Sequence, residues 1–252
     1  MNKAIETVAV VGAGTMGAAI AAHLVNARFS VYLLDIVPSE IAPKKNGLVL
    51  AESNLELRNQ LVLNGLNRAT EQRPPPFFLS EQANRVQIGN LEDHLDYLKS
   101  VDWIIEAVSE DFEIKTQVLQ QLDQVRRTGS IVSSNTSGLS INRLAKGLTE
   151  DFRKHWLGTH FFNPPRYLKL LEIIPTSETL PSVTETITTV GRHRLGKGIV
   201  QAKDTPSFVA NRIGIFALQQ LIQMVQEGGY RIDEVDQLTG PIIGRSKTAA
   251  FR

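Results

Sequence analysis

The sequence predicts an α/β fold in which a doubly wound, mainly parallel sheet is followed by the beginning of an all-α domain. Three observations support this prediction. Short apolar runs alternate with helix-length segments, a glycine-rich turn separates the first run from the first helix, and the residues after 204 have a helical pattern. Such alternation is typical of parallel sheets that are covered by helices on both faces.

The individual elements follow from this alternation, read along the chain. Strands are predicted at Thr7–Val11, Val31–Asp35, Asp102–Val108, Ser130–Asn135, Trp156–Phe161, Lys169–Ile174 and Gly198–Ala202. Helices are predicted at Thr15–Arg28, over most of 39–63, and at Glu113–Arg127, 140–148 and 182–195. Proline has no backbone N–H, so Arg73-Pro74-Pro75-Pro76 must interrupt any helix, and 64–85 is predicted to be an exposed excursion.

The chain changes character after Asp204-Thr205-Pro206. Ser207–Glu227 predicts a long apolar helix that ends at Gly228-Gly229, and Asp233–Leu238 predicts another helix. A short helical tail cannot bury its own apolar face. We therefore predict two domains, 1–204 and 205–252, the second of them the start of a helical domain that is either truncated or completed by another copy of the chain.

Composition excludes several functional classes. The 252 residues include 42% hydrophobic and 21% charged residues, with a net charge of +1 and no cysteine. This charge gives no field for nucleic acid or an anionic membrane surface, and the lack of cysteine excludes a thiol nucleophile. No apolar run approaches the ~18 residues of a membrane span. We predict a cytoplasmic protein with no metal site.

The glycine-rich turn predicts a dinucleotide site. Gly12, Gly14 and Gly17 form the pattern G-x-G-x-x-G between a strand and a helix that begins with Thr15 and Met16. The first glycine allows the tight turn, the second lets a pyrophosphate approach, and the third lets the helix pack closely. The predicted fold is therefore of the Rossmann type, although glycines that only shape a turn are the alternative.

Asp35 narrows the choice of cofactor. It ends the second predicted strand, 18 residues after Gly17, where a carboxylate binds the adenosine ribose and repels a 2′-phosphate. Ile36 and Val37 provide no arginine for such a phosphate. NAD is therefore predicted over NADP, and over FAD because no flavin-contacting element is evident.

A histidine and a glutamate on two predicted strands suggest acid–base chemistry. When a hydride is abstracted from an alcohol, a base must remove the hydroxyl proton. Histidine can act as that base near neutral pH. His160 lies among aromatic residues, and Glu172 interrupts the apolar run Leu170–Ile174, where an unpaired carboxylate would be costly. If these strands are neighbours, Glu172 can orient His160; a structural histidine is the alternative.

Polar residues also follow other strands. The cluster Ser133–Gly138 has hydroxyls for a substrate oxygen, although helix capping is the commoner use of such residues. Asn211 lies on the first turns of the long helix, facing either the cleft or solvent.

Together these segments resemble the 3-hydroxyacyl-CoA dehydrogenase family over essentially the whole chain. The matching pieces are Gly12–Gly17, Glu106–Glu110, Ser134–Ser137, His160–Pro164, Glu172, Lys203–Pro206 and Asn211-Arg212. The stretch Gly129–Ser137, the run Arg166–Lys169 and Gly240–Arg245 are similar to long bacterial fatty-acid-oxidation proteins that also carry an enoyl-CoA hydratase-like region.

The resemblance implies roles for the matched positions. His160 would be the general base oriented by Glu172, while Ser137 and Asn211 would hold the substrate oxygen. The remaining matched residues would contact NAD: Glu110, Lys115 and Asn163 on the nicotinamide side, and Asp35 at the adenosine ribose. The implied reaction is oxidation of an (S)-3-hydroxyacyl-CoA to the 3-oxoacyl-CoA in fatty-acid β-oxidation.

The resemblance also implies partners. The substrate would be an acyl-CoA, and the complete helical domain would form a homodimer. In this family a helical hairpin contacts the CoA phosphates, and residues 39–85 diverge from it. Lys44 and Lys45 are candidates for the contact with CoA; the alternative is that they are a solvated pair of surface charges. A dehydrogenase of another 3-hydroxy acid and a non-catalytic NAD-binding module remain alternatives.

Overall fold

The computed structural model describes residues 4–39, 55–244 and 250–251. Residues 40–54 of the predicted helix 39–63, which include Lys44 and Lys45, lie outside these residues, as does Arg245. The chain forms two compact units, Met1–Pro206 and Ser207–Arg252. This division falls two residues after the predicted boundary at 204.

The first unit is built on one sheet, to which the described residues contribute eight strands. They are β1 (Thr7–Val11), β2 (Ser30–Asp35), β3 (Val86–Asn90), β4 (Trp103–Glu106), β5 (Ile131–Ser134), β6 (Trp156–Phe161), β7 (Leu170–Pro175) and β8 (Gly198–Gln201). The order across the sheet is β3-β2-β1-β4-β5-β6-β7-β8. Adjacent strands are parallel except for β6 and β7, which are antiparallel. The predicted doubly wound, mainly parallel fold is therefore confirmed.

The central strands form because helices cover both faces of the sheet. Such strands are continuous apolar runs rather than alternating ones, and Val8–Val11 is fully buried. The helices of this unit are α1 (Thr15–Asn26), α2 (Leu55–Arg58), α3 (Gln60–Glu71), α4 (Phe112–Val125), α5 (Ile141–Leu144), α6 (Glu150–Lys154) and α7 (Pro181–His193), with 3₁₀ turns at Ser80–Arg85 and Leu95–Lys99.

Two sequence predictions are wrong in this unit. Segment 64–85 is not an exposed excursion, because α3 continues to Glu71 and packs on α1, Phe77 is buried, and a 3₁₀ turn leads into β3. No helix runs through the prolines, as predicted, and α3 ends at Glu71 before them. The predicted helix 140–148 is only α5, because Ala145 ends it, and α6 and the edge strand β3 were not predicted.

The second unit contains α8 (Ala210–Gly228) and α9 (Ile232–Thr239), followed by a 3₁₀ turn at Pro241–Ile243. Gly229 ends α8 in the left-handed conformation, with φ of 63°, as the glycine stop signal predicts. Ile213, Phe216 and Met224 on α8 are exposed. Among the described residues, no helix has both the length and the apolar character needed to cross a membrane.

Candidate active site

The glycine turn lies where the order of the sheet reverses. From β1 the chain proceeds to β2 and β3 on one side, and then returns to β4 on the other side. The carboxyl ends of β1 and β4 flank this switch point, where doubly wound sheets bind their ligands. Gly12 has φ of +104°, and a Cβ there would lie 2.6 Å from the backbone of Ala107 after β4. Glycine is therefore required where the two loops meet.

The other two glycines of the turn have different surroundings. A Cβ on Gly17 would lie 1.8 Å from the carbonyl oxygen of Gly12, so this glycine lets α1 pack against the turn. A Cβ on exposed Gly14 would meet no protein atom within 4 Å. Packing within the protein therefore does not require Gly14 to be glycine, and the space beside it is open to a ligand.

The N-terminus of α1 faces the same space. Gly14 is its N-cap, and no side chain caps the helix in the described part of the chain. Thr15 is exposed and Met16 is partly buried. Backbone N–H groups at such a terminus, together with the helix dipole, bind phosphate groups.

Asp35 lies at the carboxyl end of β2, beside the turn. Its carboxylate accepts hydrogen bonds from the N–H of Ala13 at 2.6 Å and from the N–H of Ile36 at 2.7 Å. These bonds fix the carboxylate next to the cleft, where it can accept further bonds from ribose hydroxyls. The open space at Gly14, the uncapped helix and Asp35 together fit a bound NAD.

His160 and Glu172 are direct neighbours across the antiparallel pair β6–β7. Nδ1 of His160 lies 2.7 Å from Oε2 of Glu172, and the two residues are 4% and 0% exposed. The ring of Phe162 packs against the imidazole, with centroids 4.3 Å apart. The predicted contact therefore exists, because the antiparallel turn-back of the chain places both side chains on one face.

A buried ion pair lies between the glycine turn and this pair. Lys115 of α4 donates from Nζ to Oε1 of Glu106 at 2.7 Å, and these residues are 1% and 0% exposed. The same ammonium reaches the carbonyl oxygen of Val108 at 3.2 Å and Glu110 at 3.4 Å. Glu106 also accepts from the hydroxyl of Ser134, its register partner on β5.

This network continues to the residues predicted to hold substrate. Glu110 accepts hydrogen bonds from the Thr136 hydroxyl at 2.6 Å and from the Ser137 N–H at 2.7 Å. Ser137 itself is exposed at the end of β5. The structure thus joins Lys115, Glu110 and Ser137 through direct contacts.

Other polar residues in this region support the fold. The Ser133 hydroxyl accepts from Trp103 Nε1 and from the Thr159 hydroxyl, at 2.9 and 2.7 Å. Asn163 is exposed in the loop after β6. Asn211 lies on the first turn of α8, in the second unit.

Two residues of this site were missed by sequence reasoning. Glu106 was matched only as part of a motif, although a carboxylate that ends a buried apolar strand is the same signal that singled out Glu172. Gly65 of α3 approaches the glycine turn so closely that a Cβ would lie 2.1 Å from the carbonyl oxygen of Ala13. No local pattern reveals that approach, because it depends on how α3 packs.

Comparison with known proteins agrees with this geometry. Residues 7–205 match the family model described as 3-hydroxyacyl-CoA dehydrogenase, NAD binding domain. A probable 3-hydroxyacyl-CoA dehydrogenase of Bacillus subtilis is 48% identical over the whole chain, which spans only 32% of that protein. Another, from Deinococcus radiodurans, is 44% identical over 98% of this chain and 68% of its own length.

Among solved structures, (S)-3-hydroxybutyryl-CoA dehydrogenase from Ralstonia eutropha aligns with a TM-score of 0.73 and 27% identity. The alignment covers 96% of this chain and 79% of that one. The segment that the family model matches, 7–205, covers most of the chain. It contains the glycine turn, Asp35 and the His160–Glu172 pair. NAD is thereby supported as the cofactor, as the sequence predicts. The chain belongs to the 3-hydroxyacyl-CoA dehydrogenase family and contains its NAD-binding domain.

Proposed function

We propose that the protein oxidises an (S)-3-hydroxyacyl-CoA to the 3-oxoacyl-CoA, with His160 as the general base. The observation that carries the proposal is the buried 2.7 Å contact between His160 Nδ1 and Glu172 Oε2. A carboxylate on one ring nitrogen fixes the tautomer and the orientation of the imidazole, and stabilises its protonated form.

The roles of the chain's own residues follow from this contact. Because Glu172 engages Nδ1, the nitrogen that takes the substrate hydroxyl proton is Nε2 of His160. Ser137 and Asn211 hold the substrate oxygen while it becomes a carbonyl. NAD, when bound, supplies the hydride acceptor.

The cofactor contacts are proposed from the same geometry. Gly12, Gly14, Thr15, Met16 and Gly17 surround the pyrophosphate, and Asp35 binds the adenosine ribose. On the nicotinamide side we propose Glu110 and Asn163, which are both exposed. Lys115 is almost fully buried, so its contribution is to hold Glu110 in place.

The proposed reaction is tested in reverse, as oxidation of NADH by acetoacetyl-CoA. We expect turnover by the parent chain and a loss of about 10²–10⁴-fold in kcat for His160→Gln, the range for a general base. NADH binding should be unchanged, since His160 is not among the proposed cofactor contacts. His193→Gln, at the exposed end of α7, is the matched control.

Other outcomes contradict the proposal in different ways. Equal activity of His160→Gln would refute the base assignment. Reduction of free acetoacetate as fast as its CoA ester would favour another 3-hydroxy acid as substrate. NADH binding without turnover of either compound would favour a non-catalytic NAD-binding module.

A place in fatty-acid β-oxidation, a homodimer formed through the helical unit and a cytoplasmic location remain predictions. The exposed apolar side chains of α8 support the dimer, because a face of this kind is usually covered in the assembled protein. Size measurement in solution tests it.

A further inference from the structure

A second cavity lies away from the dinucleotide turn, beside the C-terminal half of α1. Its volume is about 380 Å³, and it is lined by α1, by Phe78 and by the loops that precede β7 and β8. None of its lining residues belongs to the glycine turn. His23 on its wall follows Gly14 by nine residues of helix, or about 13 Å at the rise of an α-helix. Small-molecule sites begin at about 300 Å³.

The wall of this cavity is cationic. Arg166, Lys169, Arg194 and Lys197 all line it, and none of its lining residues is acidic. Arg194 has an ion pair with Glu6, whereas the other three cations have no carboxylate within ion-pair distance in the described ranges. Since the whole chain has a net charge of only +1, this concentration of charge is local.

Lys197 is the most unusual of these cations, because it is only 5% exposed. Its ammonium donates to the carbonyl oxygens of Leu168, at 2.8 Å, and Pro165. Burial lowers its pKa to about 8. Burial and the charge of Lys197 also lower the pKa of the neighbouring His23 to about 4. The charge of Lys197 thus acts on His23, and an anion in the cavity would offset it.

Bonds to backbone carbonyls explain where the Arg166 and Lys197 side chains lie, but not why these cations lack a counter-charge. Arg166 holds the proline segment in place by donating to the carbonyl oxygens of Pro75 and Phe77, at 2.8 and 2.7 Å. A neutral donor such as glutamine would also bond to carbonyls. A buried charge such as that of Lys197 is normally paired in proteins.

Two aromatic rings flank the cationic wall. The guanidinium of Arg166 lies 4.4 Å from the ring centroid of Phe78 and 5.1 Å from that of Tyr167. These aromatic residues are 58% and 42% exposed, so much of each ring faces solvent. Exposed aromatic rings beside arginine are surfaces on which nucleobases stack.

We propose that this cavity binds a phosphorylated nucleoside, with the phosphate at Lys197, Lys169 and Arg166 and the base against Phe78 and Tyr167. A phosphate monoester carries close to two charges at neutral pH and three acceptor oxygens, which suits three unpaired cations better than a carboxylate does. The site is independent of the proposed dehydrogenase activity.

The test is calorimetric titration of the chain with 5′-AMP in the presence of saturating NADH, which fills the dinucleotide site. We expect one AMP per chain, bound more tightly than inorganic phosphate or adenosine. Phe78→Ala should weaken AMP binding about tenfold through lost stacking, and Lys169→Met should also weaken it. Both side chains are exposed, so neither change threatens the fold.

Lys99→Met is the control, an exposed lysine outside the cavity, and should leave AMP affinity unchanged. NADH affinity should be the same in all variants. The proposal is overturned if AMP does not bind the NADH-saturated chain, or if Phe78→Ala and Lys169→Met bind it as the parent does. Inorganic phosphate binding as tightly as AMP would overturn the assignment of a nucleoside.

Discussion

Replacing Glu106 by glutamine is expected to lower the free energy of unfolding by about 3 kcal/mol. Glutamine has nearly the same size, and its carbonyl oxygen can still accept the bond from the Val108 N–H. The substitution therefore removes the charge with little change in shape. It leaves the Lys115 ammonium buried beside a neutral amide oxygen, because the carboxylate oxygen at 2.7 Å loses its charge.

The magnitude follows from the surroundings of Lys115. Removing one partner of a buried ion pair costs about 3–5 kcal/mol, because the other charge stays buried and uncompensated. Here Glu110 remains at 3.4 Å, but its side chain is 46% exposed and its attraction is partly screened by water. The lower end of the range is therefore expected.

The assay is denaturant unfolding followed by tryptophan fluorescence, since Trp103 is buried on the same strand as Glu106. Glu150→Gln is the control: it breaks the exposed pair with Lys154 and should leave the free energy of unfolding nearly unchanged. The double variant Glu106→Gln/Lys115→Met should recover most of the lost stability. A Glu106→Gln variant within about 0.5 kcal/mol of the parent would refute the reasoning.

Three further predictions test other parts of the structure. Gly14→Ala should weaken NADH binding at least tenfold without changing stability. Gly17→Ala should instead lower the free energy of unfolding by about 3 kcal/mol, because its Cβ would overpack the turn. Equal stability of the two variants in denaturant unfolding would contradict this prediction. Asp35→Ala should weaken NADH binding about tenfold and reduce discrimination against NADPH, and unchanged NADH affinity in titration would exclude the ribose contact. Because the folded-state pKa of His23 is lowered from 6.5 to about 4, the stability it contributes is present above pH 6.5 and lost as the pH falls towards 4. That loss is up to about 3 kcal/mol. Unfolding measured between pH 6.5 and pH 4 should show a smaller loss of stability for His23→Gln than for the parent. The same dependence of the unfolding free energy on pH in both proteins would contradict the prediction.

The sequence predicted most of the sheet because its central strands are buried on both faces. Thr7–Val11 was predicted with the observed bounds because its apolar run is a clear signal, and the bounds of Trp156–Phe161 were also predicted. The edge strand β3, Val86–Asn90, was missed because it is short and polar and follows a segment read as irregular. Helix α3 was underestimated because Asn64 and Gly65 are weak helix formers, and its packing on α1 overrides that weakness.

The candidate site was predictable where one residue contradicts its surroundings. Glu172 within an apolar strand required a partner, and the histidine on the neighbouring predicted strand supplied one. Glu106 had the same signal, but its partner Lys115 could not be identified, because their contact depends on the turn from β4 into α4. The cavity beside Lys197 was beyond prediction for the same reason, since it joins segments far apart in the chain.

The central claim is that Glu172 orients His160 as the base, and Glu172→Gln tests it most directly. A glutamine amide can donate to Nδ1 and so place the ring proton on Nε2, the nitrogen that must accept the substrate proton. In reduction of acetoacetyl-CoA by NADH, we expect kcat to fall by about 10²–10⁴-fold with unchanged NADH affinity. Full turnover by Glu172→Gln, with the parent's pH profile, would contradict the claim.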